Sequence, residues 1–121
     1  MIVVVAPGQG SQSPGFLSPW LELDGARERL EAYGDAAGGD LVAHGTVSDA
    51  DTIRDTAIAQ PLIVAAGILA WNSLMDLPGA ASAVRGVAGH SVGEITAAYA
   101  AGIFDADTAM RFVARRSQPM A

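Results

Sequence analysis

The chain has 121 residues, half of them hydrophobic and 17% charged, enough for a packed core and far from the composition of a disordered segment. Its net charge of −6 excludes the basic field that a nucleic-acid surface requires. The absence of cysteine excludes a disulfide scaffold, a thiolate metal site and a cysteine nucleophile.

The first element, "IVVVA" (residues 2–6), is a β-branched run ended by Pro7-Gly8. Such runs mark strands buried on both faces, as in parallel sheets under helices. It has no basic lead and reads as a strand, not a signal peptide. "GARERLEAYG" reads as a helix with Asp24 as N-cap and Gly34 as its stop. "LVAHGTVSDADTIRDT" is expected to be mostly connection, with one helical turn near residues 49–54. "QPLIVAAGILAWNSLM" has helical length and spacing. Pro61 fits its first turn, where a missing amide does least harm. Leu62, Ala65, Ala66 and Leu69 then share one face, broadened by Ile63 and Ile68. The apolar stretch 61–71 is too short to span a bilayer. "VRGVAG" (84–89) is a second short strand. A helix resumes after Ser91, with Gly102 placed to end it. Asp105 or Asp107 starts the last helix, which runs to about Arg116, with Pro119 beyond it. Trp20, Trp71 and Phe112 are expected in the core. Strand, helices, strand, helices is the alternation of an α/β layer fold. Two strands are too few for a finished sheet, so part of a domain is expected.

The stretch "AGHSVGEITAAYAAG" (88–102) carries the chemistry. Ser91-x-x-Glu94 fits a helix capping box. Gly89-x-Ser91-x-Gly93 also fits the nucleophile elbow, a sharp strand-to-helix turn that projects a serine oxygen from the sheet. The two readings are compatible. A serine hydroxyl is a weak nucleophile and needs a base and an oxyanion hole. The Val92 amide, just after the serine, is the natural first donor. The loop "PGQGSQ" (7–12) follows the first strand, and its glycines expose backbone amides. Gln9 is a candidate second donor, although a simple turn accounts for the loop equally well. G-x-G-x-x-G fails because position 13 is serine, and a phosphate-binding loop fails for want of lysine. His90 neighbours the serine, but adjacent residues at a sharp turn point apart, and its expected role is to support the loop. His44 is expected at the surface. Neither histidine has companions at metal-ligand spacing, so no metal is expected. Arg111, Arg115 and Arg116 form either a solvated helix face or an arginine fork for a carboxylate, and spacing does not choose among them.

Taken together, "APGQGSQ", "AQPLIVAAGIL", "AGHSVGEITAAYAAG" and "VARRSQPM" resemble the malonyl-CoA:acyl carrier protein transacylases and the related acyltransferase domains of polyketide synthases. The resemblance runs through all 121 residues in order. It implies an α/β-hydrolase-like large subdomain with a parallel sheet, of which residues 1–121 would be the N-terminal segment. The family's ferredoxin-like small subdomain and its general-base histidine would lie in a later part of such a chain. It further implies a ping-pong transfer of malonyl from malonyl-CoA, through Ser91, to the phosphopantetheine thiol carried by acyl carrier protein. Amides of Gln9 and Val92 would form the oxyanion hole. Arg116 matches the arginine that pairs with the malonate carboxylate, although Ser117 stands where the family usually has glycine. Gln60 matches a pocket glutamine, and His90 the elbow histidine that is not the base. No bound cofactor, nucleic acid or membrane enters, and a cytoplasmic location is expected. The competing readings are a serine hydrolase or thioesterase and a non-catalytic fragment that binds CoA or carrier protein.

Overall fold

The computed structural model describes residues 2–118. Strand β1 (Ile2–Ala6) pairs in parallel with β2 (Val84–Gly89), Val4 opposite Val87 and Ala6 opposite Gly89. This two-stranded sheet and the helices around it make an α/β architecture. Between the strands come α1 (Ala26–Ala37), α2 (Leu41–Thr46), α3 (Thr56–Met75) and a single turn, α4 (Ala80–Ala83). After β2 the chain forms α5 (Gly93–Ala100), which packs on both strands and on α3. Helix α6 (Ala106–Arg116) packs against α1 and α3.

The core lies among the helices. Leu17, Leu30, Ile53, Leu62, Val64, Ile68, Val92, Met110 and Val113 are fully buried, each contributing roughly 1.5–3 kcal/mol of transfer free energy. Helix α3 runs through its centre. Residues 59–65, Ile68 and Leu69 are all buried, because this helix is apolar all round and has neighbours on several sides. On length and composition alone α3 is long enough to cross a membrane, as the 61–71 stretch by itself is not. Trp20 packs against this core, partly buried.

Several element boundaries differ from the sequence expectation, each for a local reason. Helix α3 starts five residues before Pro61. Asp55 caps it, its Oδ1 accepting from the Ala57 amide at 2.9 Å, and Pro61 sits inside the helix, unable to donate to the carbonyl four residues back. Helix α1 is capped by Gly25, not Asp24, and runs through Gly34. Gly34 is buried and its carbonyl accepts from Gly38 and Gly39; the helix stops at Gly38, whose φ is +81°. The stretch expected as connection holds α2, started by Asp40 accepting from Ala43 at 3.1 Å and anchored by buried Leu41. The turn near 49–54 is a 3-10 helix, Thr52–Arg54. The expected ends of α5 and α6 hold: Gly102 follows α5 with φ +84°, and the Asp105 carboxylate caps α6 by accepting from Thr108 at 2.8 Å. That bond to the Thr108 backbone, together with its side chain, holds the Asp105 carboxyl below the usual range. Pro119 lies outside the described residues.

Two burial expectations are overturned. Strand β1 is not buried on both faces: Val3 is 58% and Val5 68% exposed. Helix α5 supplies the sheet's main helical cover, and these side chains have no second layer over them. Phe112 is likewise half exposed, resting against Phe104 with ring centroids 5.5 Å apart.

Candidate active site

The sheet delivers the chain to a sharp turn. One residue past β2, the His90 amide still donates to the Ala6 carbonyl at 3.1 Å, while the His90 carbonyl accepts from Gly93 at 2.9 Å. Ser91, between them, has φ +54°, the one non-glycine with positive φ among the described residues. A β-carbon there costs about 1–3 kcal/mol, which the surrounding structure must hold in place. Both flanking glycines are steric requirements. A β-carbon at Gly93 would overlap the Ala6 carbonyl oxygen and come 2.7 Å from that of Pro7; one at Gly89 would overlap the Gly93 backbone. Strand and helix therefore meet too closely for any side chain at either position.

The geometry separates the two readings of Ser91. Helix α5 has Val92 at its N-cap and no side-chain capping bond, so the capping box does not form. Ser91 and Glu94 are both exposed, and the serine contributes only its carbonyl, accepting from the Glu94 amide at 3.0 Å. Its hydroxyl is left facing outward.

The loop after β1 lies against this elbow. A β-carbon at Gly8 would come 2.9 Å from the His90 carbonyl oxygen, 3.1 Å from its ring Cδ2 and 3.6 Å from Ser91 Cβ. The amides of Gln9 and Val92 have no hydrogen-bond partner among the described residues. Two unpaired backbone donors among the described residues thus lie in the elbow and in the loop packed against it. The loop's own side chains reach away from the serine: Gln9 Nε2 donates to Thr56 Oγ1 at 3.1 Å, Gln9 Oε1 accepts from Gln60 Nε2 at 3.3 Å, and Gln12 Nε2 donates to the Ile53 carbonyl at 3.1 Å. Gln60 is buried, with its Oε1 unpartnered among the described residues.

From the other side comes α6. Arg116 Nη2 donates to Ser91 Oγ at 3.4 Å. Of the three arginines that spacing left equivalent, Arg116 alone is hydrogen-bonded to the serine. Arg111 is paired with Asp107 at 2.8 Å on the exposed face of α6. A guanidinium stays protonated and cannot accept the serine's proton. Among the described residues neither a histidine nor a carboxylate is hydrogen-bonded to Ser91 Oγ. His44 is on α2, partly buried, its Nδ1 3.0 Å from Ser48 Oγ.

The structure therefore gathers Ser91, the Val92 and Gln9 amides, His90 and Arg116 at one end of the sheet, with Gln60 one hydrogen bond behind Gln9. Chemically this is a hydroxyl, a pair of donors for a developing oxyanion and a fixed cation suited to a carboxylate. Sequence reading missed Thr56 and Gln12. Gln12 lies inside the PGQGSQ stretch, three residues after Gln9, but no spacing rule points from either glutamine to positions more than forty residues away.

No family model matches the chain. Among curated proteins, the malonyl CoA-acyl carrier protein transacylase of Mycobacterium tuberculosis is 50% identical over all 121 residues, and that of Escherichia coli K12 is 34% identical over 117. The chain spans 40% of the length of the first and 37% of the second. Among solved structures, the M. tuberculosis transacylase superposes with a TM-score of 0.90 at 48% identity, over 97% of this chain and 39% of that one. A malonyl-transacylase in complex with a type II polyketide synthase acyl-carrier protein superposes at 0.85 with 31% identity, over 95% of this chain and 37% of that one.

Proposed function

We propose that this chain, a relative of the malonyl CoA-acyl carrier protein transacylases along its whole length, carries the serine half of a malonyl transfer site. It would form the N-terminal segment of the large subdomain of such an enzyme. Ser91 Oγ attacks the thioester carbonyl of malonyl-CoA, the Gln9 and Val92 amides take the developing oxyanion, and the C–S bond breaks to leave malonyl-Ser91 and the CoA thiol. The phosphopantetheine thiol of an acyl carrier protein then attacks the ester, and Ser91 recovers its proton. Activation resides in the thioester, so no cofactor enters. Arg116, hydrogen-bonded to Ser91 Oγ, stays protonated and does not take the proton; on the family resemblance that step belongs to a histidine in a later part of such a chain. Neither nucleic acid nor membrane takes part, and a cytoplasmic location goes with this reading.

The observation that carries the proposal is the Arg116–Ser91 contact on a left-handed serine. A cation beside the nucleophile, with no carboxylate paired to it among the described residues, suits an acyl group with a carboxylate at its far end, the feature that distinguishes malonyl from acetyl. His90 supports the elbow through its main-chain bonds, and Gln60 backs the site through its hydrogen bond to Gln9. The test is Arg116→Ala in the protein as its gene encodes it. Loss of a charge-assisted, two-point contact of roughly 1.5–3 kcal/mol lowers malonyl loading about ten- to a hundredfold. Acetyl loading is spared. Equal losses for both acyl groups contradict the assignment.

A further inference from the structure

The two glutamines of the loop after β1 make no hydrogen bond to the serine. Both instead reach to the segment that opens α3. Gln12 Oε1 accepts from the Gly10 amide at 2.8 Å while its Nε2 donates to the Ile53 carbonyl at 3.1 Å. Gln9 is held at both ends of its amide, by Thr56 Oγ1 and by Gln60 Nε2. Thr56 is the first residue of α3 and its hydroxyl is not needed to start that helix, because Asp55 already caps it. Gln9 and Thr56 are both exposed, so the bond between them is not required to satisfy a buried group. Ile53 and Gln60, in contrast, are buried in or beside the core, so the loop is tied to residues packed into the helical body. A loop of free glycine-rich backbone would otherwise sample many orientations of the Gln9 peptide.

We propose that Thr56 is a positioning residue: through the Gln9 side chain it fixes the direction of the Gln9 backbone amide, and so the shape of the oxyanion hole. Gln12 secures the far end of the same loop. This rests on the reading of Ser91 as the acylated residue. Removing the Thr56 hydroxyl leaves substrate contacts in place and loosens a donor that matters most in the transition state, so the loss falls on the chemical step.

The experiment measures single-turnover acylation by malonyl-CoA in the protein as its gene encodes it. Thr56→Val lowers the acylation rate constant roughly three- to tenfold, the equivalent of one neutral hydrogen bond, with the malonyl-CoA concentration for half-saturation nearly unchanged. Thr56→Ser, which keeps the oxygen, recovers the rate. Gln9→Ala keeps the backbone amide but not its tether, and lowers the rate comparably. In that background Thr56→Val adds nothing further, because the two changes break one interaction. An unchanged rate in Thr56→Val, a fully additive loss in the double variant, or a loss matched by a fall in melting temperature overturns the inference while leaving Ser91 acylation intact. A native protein that is never acylated at Ser91 overturns the reading beneath it, and this inference with it.

Discussion

Helix α3 and strand β1 of this chain are both built from apolar sequence but packed very differently. Around α3, Leu62 and Ile68 of α3 and Met110 and Val113 of α6 are 0% exposed and belong to one buried cluster. In β1, Val3 and Val5 stand more than half in solvent. Between β1, α3 and α5 there remains an apolar cavity of about 180 Å³ lined by Val4, Ala6, Trp71, Leu74 and Thr96. Helix α3 thus buries most of its apolar residues and β1 does not. Yet the sheet, not the helical body, aims Ser91, because the His90 amide donates to the Ala6 carbonyl and Gly93 abuts the backbone at the end of β1. Stability and positioning are carried by separate regions.

Substitutions in the two regions should therefore differ in kind as well as size. Leu62→Ala, at the centre of the helical body, is expected to cost ~2–5 kcal/mol through lost transfer energy and the cavity left behind, read as a lower urea midpoint without a change of slope. Gly93→Ala, at the junction of sheet and elbow, forces a methyl against the Ala6 and Pro7 carbonyls. Its expected cost is smaller, ~1–3 kcal/mol, but malonyl loading of Ser91 falls far more than that figure implies, because relief of the overlap moves the turn. A Gly93→Ala protein that is destabilised yet loads at the native rate breaks the separation of roles. Val5→Thr, on the open face of β1, is expected to shift unfolding by less than ~0.5 kcal/mol in these 121 residues alone. The same change in the gene-encoded protein costs more if a further layer covers this face, which makes the pair of measurements a direct reading of what the sheet lacks here.

Much of this arrangement was legible in the residues. The β-branched run of β1, the strand before Gly89, Gly102 after α5 and Asp105 before α6 are signals that act over one or two turns, and each lies where its local physics puts it. The missed elements depended on tertiary context. Helix α2 is six residues long and holds because Leu41 is buried. Proline marks a helix start only when nothing upstream caps better, and Asp55 does. Gly34 looked like a stop because glycine usually is one, yet here it allows the chain returning through Gly39 to pass close by. At the site, Ser91, Val92 and Gln9 could be located from their motifs, since an elbow and a strand-end loop are local structures. Spacing alone did not separate Arg116 from Arg115; the family resemblance chose Arg116, and the packing of α6 brings it to Ser91. The grip of Thr56 on Gln9 joins residues 47 apart, beyond the reach of any periodicity.

The central claim is that Ser91 is the residue that carries the acyl group. Incubating the gene-encoded protein with malonyl-CoA, quenching in acid and mapping the peptide that contains residues 88–102 by mass spectrometry measures it directly. The account predicts a malonyl ester on Ser91, discharged by a phosphopantetheine thiol on acyl carrier protein and absent from a Ser91→Ala variant with native melting behaviour. A malonyl adduct that persists in Ser91→Ala, or that maps to another residue in the native protein, contradicts it.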